Sequence, residues 1–190
     1  MAGPIGAGRF GVTVERARQR AVALDSETDR HLAEHRLEPP GKVFSEIRAY
    51  LLRRAEAMAT RNDPYQLLKF RREHEFEMIV LGPSVDKGPT PQHFHFDSGA
   101  RLSFGLTLRE VERGSQVVSF RYHYTLPDGR SPQYLRFDLN DGPHTDPLAE
   151  PRCHLHPGID DVRIPFSVHN PIEILDRIFF VLETAAQGSR

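Results

Sequence analysis

The stretch RLSFGLTLREVE at residues 101–112 decides the fold, because its apolar residues occupy alternate positions. Side chains return to the same face of a β-strand with this period of two. The stretch QVVSFRYHYTL at residues 116–126 alternates in the same way, and ERGS at residues 112–115 is typical of a turn. The two stretches therefore predict an antiparallel hairpin.

A third strand is predicted directly after this hairpin. The sequence PDGR at residues 127–130 is a second turn signal, and residues 133–139 follow it as the next strand. The three strands form a meander from Arg101 to Leu139. Residues 75–81 are expected to begin the sheet, and residues 161–165 are expected to add one more strand.

Two helices are predicted to cover one face of this meander. Residues 43–60 carry apolar side chains three and four positions apart, as an amphipathic helix does. The sequence NPIE at residues 170–173 supplies a cap, a proline at the first position and a glutamate at the third, so a helix is expected to run to about residue 186. A short helix is expected through Leu67 and Leu68. The predicted fold class is α+β, an antiparallel β-meander packed against N- and C-terminal helices.

The N-terminal residues 1–40 are expected to form a tail and an arm, and residues 41–190 a single α+β domain. Residues 1–11 hold four glycines and a proline, which favours a flexible tail. Residues 12–37 predict a polar helix with a thin apolar stripe, and Pro39-Pro40-Gly41 breaks the chain after it. So narrow a stripe stabilises an isolated helix poorly, so we expect the arm to need a partner surface.

Composition limits the class of protein. The 25 basic and 26 acidic residues give a net charge of −1, which argues against a protein that grips long nucleic acid by its backbone but leaves room for a local RNA site. The single cysteine, Cys153, cannot form an internal disulfide. No apolar run approaches the roughly 20 residues that span a bilayer, and no signal-peptide pattern is visible. A cytoplasmic location without membrane contact is the expectation.

The histidine-rich region from Arg136 to His169 is the predicted site of any chemistry. Arg136 and Asp138 point to the same face of their strand, and His154 and His156 obey the same rule if their segment is extended. Imidazoles titrate near neutral pH and can take and give protons in one turnover, while an arginine can hold a phosphate. The candidate catalytic residues are Arg136, Asp138, His144, His154 and His156.

The same pattern has a structural interpretation. A connection rich in proline and histidine is often a surface loop whose imidazoles bond to backbone carbonyls. Arg136 and Asp138 can likewise be a simple ion pair on a solvated face of the sheet. The charges of residues 116–170, five basic and seven acidic, do not decide between the two interpretations.

A second motif, His93-Phe94-His95, offers a pair of metal ligands if it lies on a strand. It is similar to the His-x-His of cupin barrels, but the glutamate that follows in cupins is absent here. A cupin-like metal-binding protein is therefore one alternative. Cys153 beside His154 offers a thiol, although a lone cysteine is more often buried than nucleophilic.

Over roughly its last 75 residues the chain resembles the TumE-type toxins of bacterial toxin–antitoxin pairs. The features that match are the strand FRYHY at residues 120–124, the strand Arg136-Phe137-Asp138, the sequence DGPH at residues 141–144, His154-Leu155-His156 and a closing helix from Pro171. The chain departs from that family at Phe137, where a tyrosine is usual, and at Leu139, with the asparagine shifted to Asn140. Residues 1 to about 75 lie outside the resemblance.

The resemblance implies interference with translation, by RNA cleavage, and an antitoxin as partner. In a metal-free mechanism, one histidine removes the proton of the ribose 2′-hydroxyl, another protonates the leaving oxygen, and Arg136 holds the phosphate. No cofactor is expected for this reaction. The alternative from another class is a non-enzymatic accessory or interaction module with structural histidines. The partner of the N-terminal arm is expected to be an antitoxin protein or a second copy of the chain.

Overall fold

A computed structural model describes residues 7–58, 63–82, 93–140, 150–167 and 170–182. In these residues the helices are α1 (Ala7–Glu34), α2 (Pro40–Met58), α3 (Pro64–Leu67) and α4 (Pro171–Asp176), which continues as a π-helix over Arg177–Leu182. The strands are β1 (Leu68–Glu73), β2 (Phe76–Leu81), β3 (Phe94–His95), β4 (Arg101–Val111), β5 (Gly114–Thr125), β6 (Tyr134–Leu139), β7 (Cys153–His156) and β8 (Ile164–Pro165).

All eight strands belong to one antiparallel sheet. Its order is β1-β2-β4-β5-β6-β7-β8, and the short strand β3 pairs with β4. Helices precede and follow the strands along the chain. The prediction of an α+β fold is therefore confirmed.

The predicted meander forms the centre of this sheet. Strands β4, β5 and β6 coincide with the three predicted strands to within two residues at each end. The sheet extends further than predicted on both sides, because β1 follows α3 without a linker and β7 pairs with β6. Leu68, expected in the short helix, is the first residue of β1, and the strand expected at residues 161–165 is reduced to Ile164–Pro165.

The face of the sheet that packs against the helices is named the inner face. On β4 it carries the buried side chains of Leu102, Phe104, Leu106 and Leu108, which join one hydrophobic cluster with the apolar residues of α2, α4 and the π-helix. From the helices, Tyr50 and Phe179 meet edge to face over this cluster. The alternation seen in the sequence therefore reflects burial on one side of the sheet.

The start of α4 has the predicted cap. The side chain of Asn170 accepts a hydrogen bond of 2.9 Å from the backbone N–H of Ile172, and Pro171 is the first helical residue. The hydroxyl of Tyr122 donates to the carbonyl of Pro171 at 3.1 Å, which ties the helix to the sheet. The predicted end near residue 186 lies outside the described residues.

Helix α1 differs from the predicted arm at both ends. It begins at Ala7, inside the stretch expected to be a flexible tail, and ends at Glu34, while residues 1–6 lie outside the described residues. A long helix tolerates Gly8 and Gly11 at a cost of about 1 kcal/mol each relative to alanine. The chain breaks between α1 and α2 as predicted, and Pro40 is the first residue of α2, since proline is favourable at the first helical position.

The C-terminal half of α1 is docked on the rest of the chain. Thr28 and Leu32 are buried, and Asp25 accepts a hydrogen bond of 3.0 Å from the backbone N–H of Arg152. Leu37, just beyond the helix, exchanges two backbone hydrogen bonds of 2.9 Å with Ser115 on β5. Part of the surface that the helix was expected to need is thus supplied by its own chain. None of the described helices is long and apolar enough to cross a membrane.

Candidate functional site

The outer face of the sheet, opposite the hydrophobic cluster, carries two rows of polar residues across neighbouring strands. Strand register places Arg121 opposite Asp138, and Asp138 opposite His154. In the next row His123 lies opposite Arg136, and Arg136 opposite His156. Directly paired residues on antiparallel strands project to the same side. The register therefore brings side chains from β5, β6 and β7 together.

Asp138, His154 and His156 form the centre of these rows and are called the Asp–His–His cluster. The Nε2 atoms of the two histidines are 3.0 Å apart. The Oδ2 atom of Asp138 lies 3.8 Å from Nε2 of His154 and 3.4 Å from Nε2 of His156. All three residues are at most 2% exposed. Their facing atoms are all groups that can bind a metal ion.

The carboxylate of Asp138 is held by two arginines. Nε of Arg136 donates to Oδ2 at 2.8 Å, and Nε of Arg121 donates to Oδ1 at 3.2 Å. Arg136 also donates through Nη1 to Asp160 at 2.6 Å. Burial opposes the positive charge of Arg136, but the two carboxylates outweigh it and raise its pKa above the usual range. The guanidinium of Arg136 is therefore already occupied by carboxylates.

The proton of His154 is assigned by its backbone contact. Its Nδ1 atom lies 2.6 Å from the carbonyl oxygen of Pro151, and a carbonyl can only accept, so Nδ1 carries the proton. Burial lowers the pKa of His154, although the Pro151 carbonyl and Asp138 act in the opposite direction. In the neutral imidazole, this assignment leaves Nε2 without a proton, and Nε2 faces His156 and Asp138.

His156 has one ring nitrogen inside the cluster and one outside it. Its Nδ1 atom is buried and has no hydrogen-bond partner in the described structure. A buried polar atom without a partner costs about 1–3 kcal/mol. Burying Nδ1 of His156 in this way therefore lowers the stability of the folded chain.

A groove beside the cluster opens on the same face of the sheet. It has a volume of about 290 Å³ and is lined by Gly105, Thr107, Ser119, Phe120, Arg121, Leu139 and Asn140. Gly105 lies opposite Arg121 and leaves room above β4, because it has no side chain. The side chain of Arg121 is 65% exposed and also bonds to Asp138. Arg121 therefore links the groove to the cluster.

Four of the five residues predicted from the sequence lie together here. Arg136, Asp138, His154 and His156 share the outer face, as the period-two argument requires. The fifth, His144, lies outside the described residues. Arg121 was not among the predicted residues, although it is on a predicted strand two residues before His123 and thus on the same face.

The other sequence candidates lie elsewhere. His93 and His95 project to the side of the sheet opposite the buried Phe94, with ring centroids 6.4 Å apart. Burial lowers the pKa of His93, and Arg101, His95 and His123 add to that effect. Cys153 is buried beside Leu139 on the inner face, where burial raises the pKa of its thiol. A buried, protonated thiol is a poor nucleophile.

The resemblance to TumE-type toxins rests on residues that the fold distributes between the two faces of the sheet. Arg136, Asp138, His154 and His156 belong to the outer face, whereas Tyr122 and Phe137 belong to the inner face. Neighbouring positions in the resembling strands thus have separate structural roles. In comparisons of the chain with protein families, with curated proteins and with solved structures, nothing matches.

Proposed function

We propose that the protein is a toxin-like, RNA-directed enzyme that cleaves phosphodiester bonds at the Asp–His–His cluster. The observation that carries this proposal is the double role of Arg121, which bonds to Asp138 at 3.2 Å and also lines the groove. A phosphate held by Arg121 would lie next to the cluster. The proposal places the enzyme in the cytoplasm, where its RNA substrate is found.

The groove offers the contacts that a single stretch of RNA needs. The guanidinium of Arg121 can bind a phosphate through two parallel hydrogen bonds. The hydroxyls of Thr107 and Ser119 and the amide of Asn140 can bond to ribose and base edges. A net charge of −1 suits such a local contact better than a long electrostatic track.

In a reaction without a metal ion, the roles within the cluster follow from the positions of its protons. The cleavage requires a group that accepts the proton of the ribose 2′-hydroxyl, and Nε2 of His154 is unprotonated. His156, the neighbouring imidazole, is the candidate for protonating the leaving oxygen. Arg136 was expected to bind the phosphate, but it already donates hydrogen bonds to Asp138 and Asp160. We therefore assign phosphate binding to Arg121.

The burial of the cluster favours a second candidate, a non-enzymatic interaction module in which the histidines are structural. Residues that are at most 2% exposed meet a substrate only if a covering segment moves. In this case the Arg121 groove binds a partner without any reaction. Cleavage of RNA separates the two candidates.

The test is incubation of the full-length protein with a mixed RNA pool, with and without a chelator. We expect cleavage that Arg121→Gln lowers at least about 10-fold, as the loss of a charge-stabilising group does. Arg113→Gln, which removes the same charge from the exposed β4–β5 turn, is the control and should cleave like the parent. An intact RNA pool under both conditions would reject the enzyme and leave the interaction module.

The antitoxin or second copy expected at the N-terminal arm is proposed to bind the exposed side of α1, where Val22 is solvent-accessible. It is a different side of the helix from that of Thr28 and Leu32, which dock on the chain's own domain. The measurement is sedimentation of the full chain, alone and with a co-expressed neighbouring gene product, against Val22→Asp. An unchanged assembly state in the variant would exclude this surface.

A further inference from the structure

We propose that Asp138, His154 and His156 bind one divalent first-row transition metal ion of the zinc class, with at least one coordination position left for another ligand. The inference deepens the proposed function and rests on it for its catalytic meaning. With Nε2 of both histidines bound to the ion, a hydroxide on the ion would replace His154 as the base. Metal binding itself is a property of the three side chains and is measured without RNA.

The size of the cluster fits one metal ion. The separations of 3.0, 3.4 and 3.8 Å between the three ligand atoms form a triangle whose circumscribed radius is about 2.0 Å. Bonds from zinc to histidine nitrogen are about 2.0–2.1 Å long, and bonds to carboxylate oxygen about 2.0–2.2 Å. An ion that lies slightly out of the plane of the triangle is therefore at bonding distance from all three atoms.

The direction of the lone pairs also favours a metal ion. Because Nδ1 of His154 donates to the Pro151 carbonyl, Nε2 carries the lone pair of the neutral ring, and it faces both Oδ2 of Asp138 and Nε2 of His156. With the His156 proton on Nδ1, three electron-rich atoms converge and a buried N–H has no partner. With that proton on Nε2, His156 donates within the cluster, but its Nδ1 lone pair is buried and unpaired. A cation removes the repulsion among the three converging atoms.

Hydrogen bonds to neighbouring groups orient the ligand side chains. A metal-binding histidine usually donates its other ring N–H to a carbonyl or carboxylate, which fixes the ring and its tautomer. His154 does so to the carbonyl of Pro151 at 2.6 Å. Asp138 is fixed by Arg136 on one oxygen and by Arg121 on the other. Two of the three ligands are thus oriented before an ion binds.

The donor set selects the class of ion. Two imidazoles and one carboxylate suit Zn²⁺, Fe²⁺, Co²⁺ or Mn²⁺, whereas Mg²⁺ and Ca²⁺ prefer oxygen ligands. In the part of the chain that the structure describes, this is the one group of three histidine, cysteine or acidic side chains whose ligand atoms lie within 4.8 Å of one another. The site differs from the His93 and His95 pair expected from the sequence.

The charges around the site favour an anion as the next ligand. Asp138 and Asp160 balance the charges of Arg121 and Arg136, and imidazoles that bind a metal ion are neutral and add no charge. A bound dication therefore leaves a local excess of two positive charges. A hydroxide or a phosphodiester oxygen would offset part of this excess. Arg121 bonds to Asp138 and also lines the groove, which connects the cluster to the proposed substrate.

The test begins with full-length protein that has been dialysed against a chelator and then against buffer. Titration with Zn²⁺ should give one equivalent bound per chain and a higher midpoint of thermal unfolding, because an ion that binds only the folded chain stabilises it. Substitution by Co²⁺ should give the visible absorption of a site with nitrogen ligands. Failure of the folded chain to bind either ion stoichiometrically would overturn the inference.

Matched variants locate the ion. His154→Gln and Asp138→Asn should weaken Zn²⁺ binding at least about 100-fold, since even the loss of a supporting residue costs about 10–100-fold. His123→Gln on the same face and His95→Gln on β3 are controls that should bind like the parent. If His95→Gln loses the ion and His154→Gln keeps it, the proposed site is wrong. The Co²⁺ spectrum of the parent protein decides the ligand type even if a cluster variant does not fold.

Different outcomes would refute the metal site and the RNA-directed enzyme. One bound zinc without RNA cleavage supports the metal site and rejects the RNA-directed enzyme. Cleavage that persists in chelator, by a chain that binds no zinc, rejects the metal site and leaves a metal-free mechanism. Chelator-sensitive cleavage that Zn²⁺ restores supports both.

Discussion

The two faces of the sheet bury different kinds of side chain, apolar on the inner face and charged on the outer face, and strand β6 contributes to both. Leu139 and Phe137 face inwards and are covered by apolar neighbours, so each stabilises the fold by leaving water. Arg136 and Asp138 alternate with them and face outwards, but Asp138 is also withdrawn from water. Burying that carboxylate is costly unless its charge is paired.

The inner face needs only apolar volume of the right shape, so similar residues can replace one another there at modest cost. The cluster on the outer face needs particular partners at particular atoms, because each buried charge or lone pair must be matched. A short strand segment whose buried polar atoms each need a particular partner is more typical of a functional site than of a segment that only stabilises the fold.

The largest effect on folding stability is expected at Asp138. Asp138→Ala should lower the free energy of unfolding by about 3–5 kcal/mol, because Arg136 then loses its buried partner. Urea denaturation in the presence of chelator measures this without a contribution from metal. Asp160→Ala, whose carboxylate is 69% exposed, is the control and should cost less than about 1 kcal/mol. Equal losses in the two variants would remove the distinction between the cluster and an ordinary surface ion pair.

Next in size is the contrast between neighbouring positions on β4. Leu106 is completely buried on the inner face, and Leu106→Ala should cost about 2–5 kcal/mol of unfolding free energy. Thr107 follows it on the outer face, and Thr107→Ala should stay within about 0.5 kcal/mol. The same denaturation experiment compares them. A large loss at Thr107 would mean that the outer face also contributes packing there.

A smaller effect on the free energy of unfolding is expected at the start of α4. Asn170→Ala removes the acceptor for the Ile172 N–H and should cost about 1 kcal/mol. Asn170→Asp retains a side-chain oxygen at this position and should restore most of the loss. The midpoint of thermal unfolding reports both variants. If Asn170→Ala is neutral, the cap does not help to hold α4 against the inner face.

The smallest effect depends on pH. Burial and the hydrogen bond to Asp176 raise the pKa of Tyr50 to about 12. The unfolded chain has a tyrosine pKa of about 10, so the contribution of Tyr50 to stability is complete below pH 10 and falls as the pH rises from 10 to 12. Tyr50→Phe should cost about 1 kcal/mol at pH 8 and progressively less above pH 10. A difference from the parent that does not vary with pH would refute this role.

Period-two alternation is a local property, and it was sufficient to predict β4, β5 and β6. Strand β1 has only two apolar residues in alternation, Leu68 and Phe70, and the pairing of β7 with β6 depends on contacts that no local pattern specifies, so the sheet is wider than predicted. Likewise, helix α1 begins before Val12 because the glycine content alone does not prevent a long helix.

In the candidate site, too, local spacing predicts some features and strand pairing determines the others. That Arg136 and Asp138 share a face follows from their spacing alone. The pairing of Asp138 with His154 is a matter of register between two strands, and only the structure gives the distances. Arg121 shares the face of His123 by the same rule, but the spacing gives no sign that it reaches Asp138.

The ends of the sheet have a consequence for behaviour at high concentration. An open sheet has two edges whose backbone groups can pair with another molecule and start aggregation. The edge strand β8 is only two residues long and includes Pro165, which has no N–H to donate. The other edge, β1, carries Lys69, Arg71 and Arg72 in a strand of six residues. A short proline-containing strand at one margin and a cationic strand at the other oppose the growth of ordered assemblies along the sheet.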